Sequence, residues 1–341
     1  MKIISKITAI ALVISVLSVG FCFSVSALVI YDGDFGFEVN TSKRQATLVR
    51  YNGSGDTVEL PDYFQGYPVT VIDRNAFCEN KSIKTIVFSN TNTTVEEYAF
   101  MNCTSLETVY IPENVVSFGD RAFAGCTSLK NVTLLSDMAS VPTNMFLGCT
   151  SLENLTINEK ISEFGYGCFN GCSALTDLDF VKNGVLLNSY TFNGTGAESV
   201  TLSDILLAIP NNAFTNCPNL TFAAIPASVM LIQPHAFDWE NLTIGCYYDS
   251  YAYHFAKKNS YSYELLDGVK LGDTDADSYI SISDVTAIQK HLAELDKLEG
   301  IYLYASNVNG DDSVEISDAT AIQLFLAEYS VPYPIGEVMT Q

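Results

Sequence analysis

The chain has 341 residues, of which 48% are apolar and 16% are charged, so it has enough apolar side chains for folded cores and is not a disordered polymer. Acidic residues outnumber basic residues by 39 to 17, which gives a formal net charge of −22 at pH 7. This charge argues against nucleic-acid binding, which uses Lys and Arg to displace counterions from phosphates, and against docking on anionic membranes.

The first 27 residues have the pattern of a secretory signal peptide. Lys2 and Lys6 precede an apolar run over residues 7–23, and Val25-Ser26-Ala27 supplies the modest or small side chains of a cleavage site. A membrane anchor is the alternative, but the run is short and no stop-transfer charge follows it. We therefore expect a secreted, extracellular protein with no membrane insertion once residues 1–27 are removed.

Phenylalanine recurs through the middle of the chain in steps of 23 residues, with one step of 22. The recurring residues are Phe77, Phe100, Phe123, Phe146, Phe169, Phe192, Phe214 and Phe237. Cys follows three residues later in five units, and a short apolar segment such as Leu106, Val109 and Ile111 comes next. Such a period predicts a solenoid of short parallel strands, because each unit can bury its apolar side only by stacking on its neighbours.

The unit Ala-Phe-x-x-Cys-x-x-Leu-x-x-Val-x-Ile-Pro, clearest at residues 99–112, resembles the BspA-like leucine-rich repeat of bacterial surface and secreted proteins. The resemblance covers residues 68–246 and implies the fold, but it does not identify a ligand because members bind varied partners. We expect a β-hairpin cap at 28–67, with a turn at Asn52-Gly53, and a closing cap at 247–267 that includes a helix at 250–258.

The cysteine ladder leaves two interpretations open. The repeated residues are Cys103, Cys126, Cys149, Cys172 and Cys217. They either point inward as small buried free thiols, which we favour, or pair as the disulfides common in secreted proteins. No Cys-x-x-Cys pair is present, which disfavours zinc.

Two rows of side chains flank the central apolar residue of each strand and are predicted to face solvent. One row is Val87, Tyr110, Thr133, Thr156, Asp179, Thr201 and Ala224, and the other is Thr85, Thr108, Asn131, Asn154, Asp177 and Ser199. The rows are neutral to acidic and rich in hydroxyl and amide groups. They form either a solvated β-face or a recognition surface for a protein or glycan.

Two segments near the C-terminus match each other at an offset of 34 residues. Residues 282–295 and 316–329 are identical at 10 of 14 positions, and each follows an oxygen-rich loop. Calcium takes about six to eight oxygen ligands, and a loop of about twelve residues presents alternate positions to the ion. We therefore predict two Ca2+ ions, with ligands at Asp273, Asp275, Asp277, Tyr279, Ser281 and Asp284 and at Asn307, Asn309, Asp311, Ser313, Glu315 and Asp318.

Apolar residues around the loops suggest how the two units pack. Ile280 and Val314 at loop position 8 could pair the two loops. The apolar side chains predicted to share a helical face are Ile288, Leu292 and Leu295 in the first helix and Ile322 and Leu326 in the second.

The two loop–helix units, joined by residues 296–306, resemble a type I dockerin over residues 268–330, with a tail at 331–341. The resemblance implies a small all-α module with EF-hand-like loops that binds a cohesin domain on a cellulosome scaffold. The positions that match cohesin contacts are Ile282, Ser283, Lys290, His291, Ile316, Ser317, Leu324 and Phe325. The Lys-His and Leu-Phe pairs differ, so one binding orientation is expected to predominate.

The loops depart from the EF-hand pattern at several positions. Ser278 and Asp312 replace the favoured Gly at position 6, and Asn307 replaces the expected first Asp. The first loop has four carboxylates in ligand positions and the second has at most three, so weaker calcium binding is expected at the second site.

The sequence does not predict an enzyme. It contains three His, no His-Glu-x-x-His motif and no Gly-x-Ser-x-Gly elbow, and the pairs Glu96-Glu97 and Asp177/Asp179 fall in variable repeat positions. We expect a non-catalytic binding or adhesion protein that calcium-dependent cohesin binding attaches to a polysaccharide-degrading complex. The alternatives are a polysaccharide-degrading enzyme or enzyme regulator delivered to the same complex, and a purely structural spacer.

Overall fold

A computed structural model describes residues 28–238, 240–275, 277, 279–311 and 313–337. The predicted signal peptide, residues 1–27, lies outside the described residues. None of the helices described is both long and apolar enough to cross a lipid bilayer.

In the described residues an antiparallel β-hairpin comes first, a regular alternation of short strands and turns follows, and a helix closes this series. The strands are β1 (Ile30–Asp32), β2 (Phe35–Asn40), β3 (Gln45–Tyr51), β4 (Thr57–Glu59), β5 (Tyr63–Phe64), β6 (Tyr67–Ile72), β7 (Thr85–Val87), β8 (Thr94–Val95), β9 (Thr108–Ile111), β10 (Ser117–Phe118), β11 (Asn131–Leu134), β12 (Ser140–Val141), β13 (Asn154–Ile157), β14 (Glu163–Phe164), β15 (Leu186–Leu187), β16 (Ser199–Thr201), β17 (Ala208–Ile209), β18 (Phe222–Ala224), β19 (Leu231–Ile232), β20 (Thr243–Cys246) and β21 (Tyr263–Leu265). The helices are α1 (Tyr251–Asn259), α2 (Ile282–Leu292), α3 (Gly300–Ser306) and α4 (Ile316–Leu326).

Each repeat forms one coil of a solenoid with strands in two rows. In the first row, β4, β7, β9, β11 and β13 pair in parallel, and β16, β18, β20 and β21 form a second parallel sheet. The second row contains the two-residue strands of the other side, such as β12, β14 and β15. The strands of the first row pair in the register of the 23-residue repeat. Thr108 lies opposite Asn131, and Asn131 lies opposite Asn154.

Stacked phenylalanine rings form the centre of the core. All eight repeat phenylalanines, from Phe77 to Phe237, are buried, and successive ring centroids lie 4.8–5.7 Å apart. The predicted solenoid is therefore confirmed, and its core is continuous because each ring covers the face of the next.

The hairpin at the N-terminal end is present, but its turn is not where the sequence suggested. β2 and β3 pair antiparallel, and the chain reverses between Asn40 and Gln45, where Arg44 has φ 54°. Asn52-Gly53 follows β3 in irregular backbone, so the predicted turn there is wrong. The closing helix α1 begins after Ser250, whose side chain accepts a hydrogen bond from the N–H of Tyr253.

One coil departs from the pattern. At the place where the first row should continue after β13, residues Asp179–Lys182 form a 3₁₀ helix instead of a strand. The side chain of Asp177 accepts a hydrogen bond from the N–H of Asp179 at 2.8 Å, a local turn that competes with strand pairing. Asp177 and Asp179 therefore do not continue the two predicted rows, and Ala224 of the first row is buried rather than exposed.

The C-terminal helices pack into a small core of their own. Helices α2 and α4 meet through Val285, Ile288, Ala319 and Ile322, with Ile280 and Val314 half-buried beside them. Ile280 and Val314 both pack against this core, although within the described residues they form no β-bridge with each other.

The predicted apolar helix face is correct only in its first half. Ile288 and Ile322 are buried, whereas Leu292, Leu295 and Leu326 are exposed, Leu295 by 79%. Helix α2 ends at Leu292 and helix α4 ends at Leu326, so these two leucines are the last residues of their helices and Leu295 lies beyond α2.

The C-terminal region makes two further contacts, one within itself and one with the solenoid. The segment after residue 330 returns to the start of this region, where Gly336 donates a backbone hydrogen bond to Leu271 at 2.8 Å and Ile335 is buried. Helix α3, in the connector, packs on the closing cap of the solenoid, with the Tyr304 and Tyr263 hydroxyl oxygens 3.1 Å apart.

Candidate functional site

The first oxygen-rich loop brings three carboxylates together. Oxygen atoms of Asp273, Asp275 and Asp277 all lie within 4.8 Å of one another, and Asp273 is buried. Desolvation raises the pKa of Asp275, and the negative charge of Asp284 raises it further. A bound cation would relieve this repulsion between carboxylates.

The fourth carboxylate of this loop comes from the first turn of α2. Asp284 is fully buried and accepts hydrogen bonds from the N–H of Thr274 and of Ser281, both at 2.7 Å. The side chain of Ser281 caps the helix by accepting from the N–H of Ser283. Tyr279 directs its side chain to solvent, so its contribution to an ion would be the backbone carbonyl that position 7 supplies.

The second loop repeats this arrangement with fewer charges. Asp318 is fully buried and accepts from the N–H of Asn309 at 3.2 Å and of Glu315 at 2.8 Å. Asn309 and Asp311 lie side by side, with Nδ2 of Asn309 donating to Asp311 at 2.8 Å. The hydroxyl of Ser313 donates to the Glu315 carboxylate at 3.1 Å.

Asn307, at position 1 of the second loop, has an orphaned acceptor. Its Nδ2 donates to the carbonyl of Asp311, but its Oδ1 is buried and has no hydrogen-bond partner within the described part of the chain. A buried carbonyl oxygen without a partner is costly, and a cation ligated at this position would satisfy it. The residues of both loops therefore fit calcium in donor type, and the first loop also gathers three of its carboxylates in one place.

Sequence reasoning missed Thr274, which is buried and ties the first loop to its helix. Its hydroxyl lies 3.0 Å from the carbonyl oxygen of Asp284 and donates to it. The equivalent residue of the second loop is the apolar Val308, so the duplication itself offered no sign of a polar role at this position.

The structure leaves the predicted partner-binding residues on the outside of α2 and α4. Ile282 and Ile316 are 62% and 61% exposed although they are large and apolar. Leu324 and Phe325 are also exposed, whereas the ring Nδ1 of the half-buried His291 accepts a hydrogen bond from the N–H of Leu298 at 3.1 Å. The remaining predicted contact residues, Ser283, Lys290 and Ser317, are exposed as well.

The solenoid has its own exposed strand face. The side chains of Thr108, Asn131 and Asn154 form a polar ladder, in which Nδ2 of Asn154 donates to Oδ1 of Asn131 at 2.8 Å. Tyr110 is exposed in the adjacent row. The ladder stops at the 3₁₀ helix, where two clefts of about 370 and 560 Å³ open beside β13.

The repeated coils match a known family. Residues 70–196 and 141–250, together more than half of the chain, match the BspA type leucine rich repeat region, in six copies. The chain belongs to this family. No curated protein matches the sequence significantly.

Solved structures similar to these BspA-type repeats come from several bacteria. A leucine rich repeat protein of T. pallidum shares 21% identity, with 69% of this chain and 97% of that chain covered and a TM-score of 0.45. A leucine rich cell surface protein of Faecalibacterium prausnitzii shares 20% identity over 65% of this chain and 76% of that chain, with a TM-score of 0.40. A leucine-rich repeat protein of Eubacterium ventriosum shares 22% identity over 59% of this chain and 49% of that chain, with a TM-score of 0.42.

The repeated cysteines of the BspA-type coils are structural. All eight described cysteines are unpaired, and the thiol of Cys126 donates to the carbonyl oxygen of Phe100, one coil earlier, at 3.2 Å. Cys103, Cys149, Cys172 and Cys217 make the same contact in their coils. Burial raises the pKa of Cys103 to about 12 and raises that of Cys126 well above its usual value, which disfavours the reactive thiolate.

Proposed function

We propose that this BspA-type repeat protein is a secreted, non-catalytic binding or adhesion protein with two functional parts. The region from residue 268 acts as a dockerin that holds two calcium ions and attaches the chain to a cohesin domain of a scaffold protein. The solenoid binds a protein or glycan, so that the chain brings this ligand to a polysaccharide-degrading, cellulosome-like complex at the cell surface or outside the cell.

One observation carries the calcium proposal: each loop buries a carboxylate that lacks a cationic partner. Asp284 and Asp318 are fully buried, and within the described ranges no Lys, Arg or His nitrogen lies within 4.0 Å of either carboxylate. Buried charges in proteins are usually paired or bind metals. The three clustered carboxylates of the first loop and the orphaned oxygen of Asn307 in the second loop would supply further oxygen ligands.

The exposed apolar side chains of α2 and α4 support a protein partner. Ile282 and Ile316 follow the two loops at equivalent positions, and Leu324 and Phe325 extend the apolar surface on α4. Covering apolar surface of this kind stabilises protein complexes. Because the last carboxylate of each loop belongs to the first turn of its helix, calcium binding would fix the ends of the helices that display these side chains.

The experiment is a binding titration against a panel of immobilised type I cohesins, with calcium and with excess EGTA. We expect at least one cohesin to bind in calcium and to lose binding in EGTA. Replacing Asp275 and Asp311 by Ala in one variant should abolish this binding. The matched control Asp296→Ala removes an exposed carboxylate of the same region outside both loops and should bind as the wild type does.

Cohesin binding that survives EGTA, or an equal loss in Asp296→Ala, would contradict the proposal. The solenoid is tested separately by incubating the chain with plant polysaccharides. Sustained product release that disappears on replacing Asp177 and Asp179 with Asn would favour the enzymatic alternative.

A further inference from the structure

The interruption of the solenoid ends one sheet at β13 and starts the next at β16, so the edge of β13 lies open in the middle of the solenoid. β13 pairs with β11 on one side, where the N–H groups of Asn154 and Asn158 donate to Lys130 and Leu134 at 3.0 and 2.9 Å. In a parallel sheet, alternate residues bond to opposite neighbours, so the N–H and C=O groups of Leu155 and Ile157 point away from β11. On that side no backbone group of the described residues bonds to them, because the next coil contains the 3₁₀ helix.

Burial confirms that this edge is open. In β9 and β11 the residues equivalent to Leu155 and Ile157 are fully buried, whereas Leu155 and Ile157 themselves are half-buried. The two clefts beside β13 share Leu155, Thr156 and Phe180 as lining residues. The Phe180 ring packs inward against Phe164 and Phe192, at centroid distances of 5.7 and 6.1 Å, so it forms the floor of the opening rather than covering the edge.

The charge around the opening is negative. The lining carboxylates are Glu153, Glu159, Asp177 and Asp179, all of them exposed, and Lys182 is the cation among the lining residues of the two clefts. Lys182 is already paired with Asp179 at 3.0 Å. A ligand here therefore gains from positive charge, and a second copy of this acidic chain is disfavoured.

We propose that β13 is a strand-addition site for an extended, basic peptide segment of a protein partner. The peptide would form backbone hydrogen bonds with the free N–H and C=O groups of Leu155 and Ile157, which have the spacing of a β-ladder. Its inward side chains would be small and apolar, because they cover Leu155 and Phe180, and its outward side chains would be Lys or Arg facing the carboxylates. This proposal rests on the proposed binding role of the solenoid. It identifies the ligand as a basic peptide and the binding site as the edge of β13.

A peptide explains these features better than a glycan does. Sugars bind proteins through hydroxyl contacts with side chains and stacking on exposed rings, whereas free backbone donors and acceptors in alternation match another polypeptide backbone. β13 is four residues long, so the added strand would span roughly four to six residues.

The test uses NMR amide exchange on the full chain from residue 28 onward. The probe is a blocked hexapeptide of alternating Val and Lys, and its control is the same peptide with every backbone nitrogen methylated. The control keeps charge and side chains but has no backbone donors. We expect the unmodified peptide to bind at least about ten-fold more tightly than the control and to slow exchange of the Leu155 and Ile157 amides by at least about ten-fold.

Two protein variants make the test specific to β13. Glu153→Lys reverses an exposed charge at the opening and should weaken peptide binding roughly three-fold, whereas Glu59→Lys makes the same change in the distant β4 and should not. Leu155→Pro removes an N–H that the solenoid does not use and should abolish the added protection at Ile157. Thermal unfolding of each variant verifies that it is folded.

Equal binding of the two peptides would overturn the proposal, since it would show attraction by charge alone. Protection of the same amides by cellohexaose without the peptide, or by a concentration-dependent dimer seen in sedimentation, would also overturn it. The measurements are repeated in EGTA. If the peptide fails to bind while calcium-dependent cohesin binding is intact, the strand-addition site is refuted. The proposed attachment of the chain to a cohesin is not refuted by that result.

Discussion

The carboxylate of Asp284 accepts a hydrogen bond from the backbone N–H of Thr274, ten residues earlier, at 2.7 Å. This contact closes the first loop onto the helix that follows it. In the second loop the donor to Asp318 is the N–H of Asn309, at 3.2 Å, although Val308 is the residue equivalent to Thr274. Each loop is thus joined to its helix by a backbone N–H, but from non-equivalent positions, and the second loop has fewer carboxylates.

We predict that calcium binds in two steps and that the first loop is the tighter site. In calorimetry, the Asp275→Ala variant should lack the tighter binding step and the Asp311→Ala variant should lack the weaker one. Asn307→Asp should strengthen the weaker step about ten-fold, because affinity in such loops rises with the number of charged ligands. If Asp311→Ala removed the tighter step, the assignment would be wrong.

We predict that the phenylalanine stack carries much of the stability of the solenoid. Phe123→Ala should reduce the free energy of unfolding by about 3–5 kcal/mol, since the ring is buried between Phe100 and Phe146. Tyr110→Ala, on the exposed strand face, should change it by less than about 0.5 kcal/mol. Unfolding in guanidinium chloride measures the free energy of unfolding of both variants. Similar losses in the two variants would argue against the stacked core.

The stack could be predicted from the sequence because the repeat constrains every coil in the same way. Phe, Cys and Leu at fixed spacing have only one inward side on which to stack, and the structure places them there. The 3₁₀ helix could not be predicted in this way. A local hydrogen bond from the N–H of Asp179 to the side chain of Asp177 competes there with strand pairing, and the repeat pattern does not encode it.

The two oxygen-rich loops were likewise only partly predictable from the sequence. Spacing and duplication together indicated the proposed calcium ligands, whereas the sequence could not show that Oδ1 of Asn307 is buried and, within the described residues, has no hydrogen-bond partner. The predicted apolar face extends too far, to Leu292 and Leu295, because helical periodicity does not say where the helix itself ends.

We predict that the stability of the folded chain declines in alkali because of its buried thiols. The pKa of Cys103 is raised to about 12 from 9.0, so unfolded chains release this proton near pH 9 while folded chains keep it. The stabilisation is complete below pH 9 and is lost as the pH rises toward 12. Between pH 8 and pH 10, in reductant, the wild type should lose about 1.4 kcal/mol more than Cys103→Ala in guanidinium unfolding. Equal losses would contradict a buried free thiol at this position.

We predict that the surface of α4 contributes more to cohesin binding than that of α2. Leu324 and Phe325 are 42% and 37% exposed, so a partner can bury apolar area there, whereas His291 is engaged by the N–H of Leu298. Replacing Leu324 and Phe325 by Ala should weaken binding by at least about ten-fold, and replacing Lys290 and His291 by Ala should weaken it less. Equal and small losses from both double variants would instead indicate two interchangeable orientations.

The most direct measurement is amide hydrogen exchange of residues 268–337 in the full chain, first saturated with calcium and then in excess EGTA. We predict that exchange in both loops and in the first turns of α2 and α4 is slow with calcium and at least about ten-fold faster after chelation, while the Phe77–Phe237 coils are unaffected. Identical exchange with and without calcium would contradict the account.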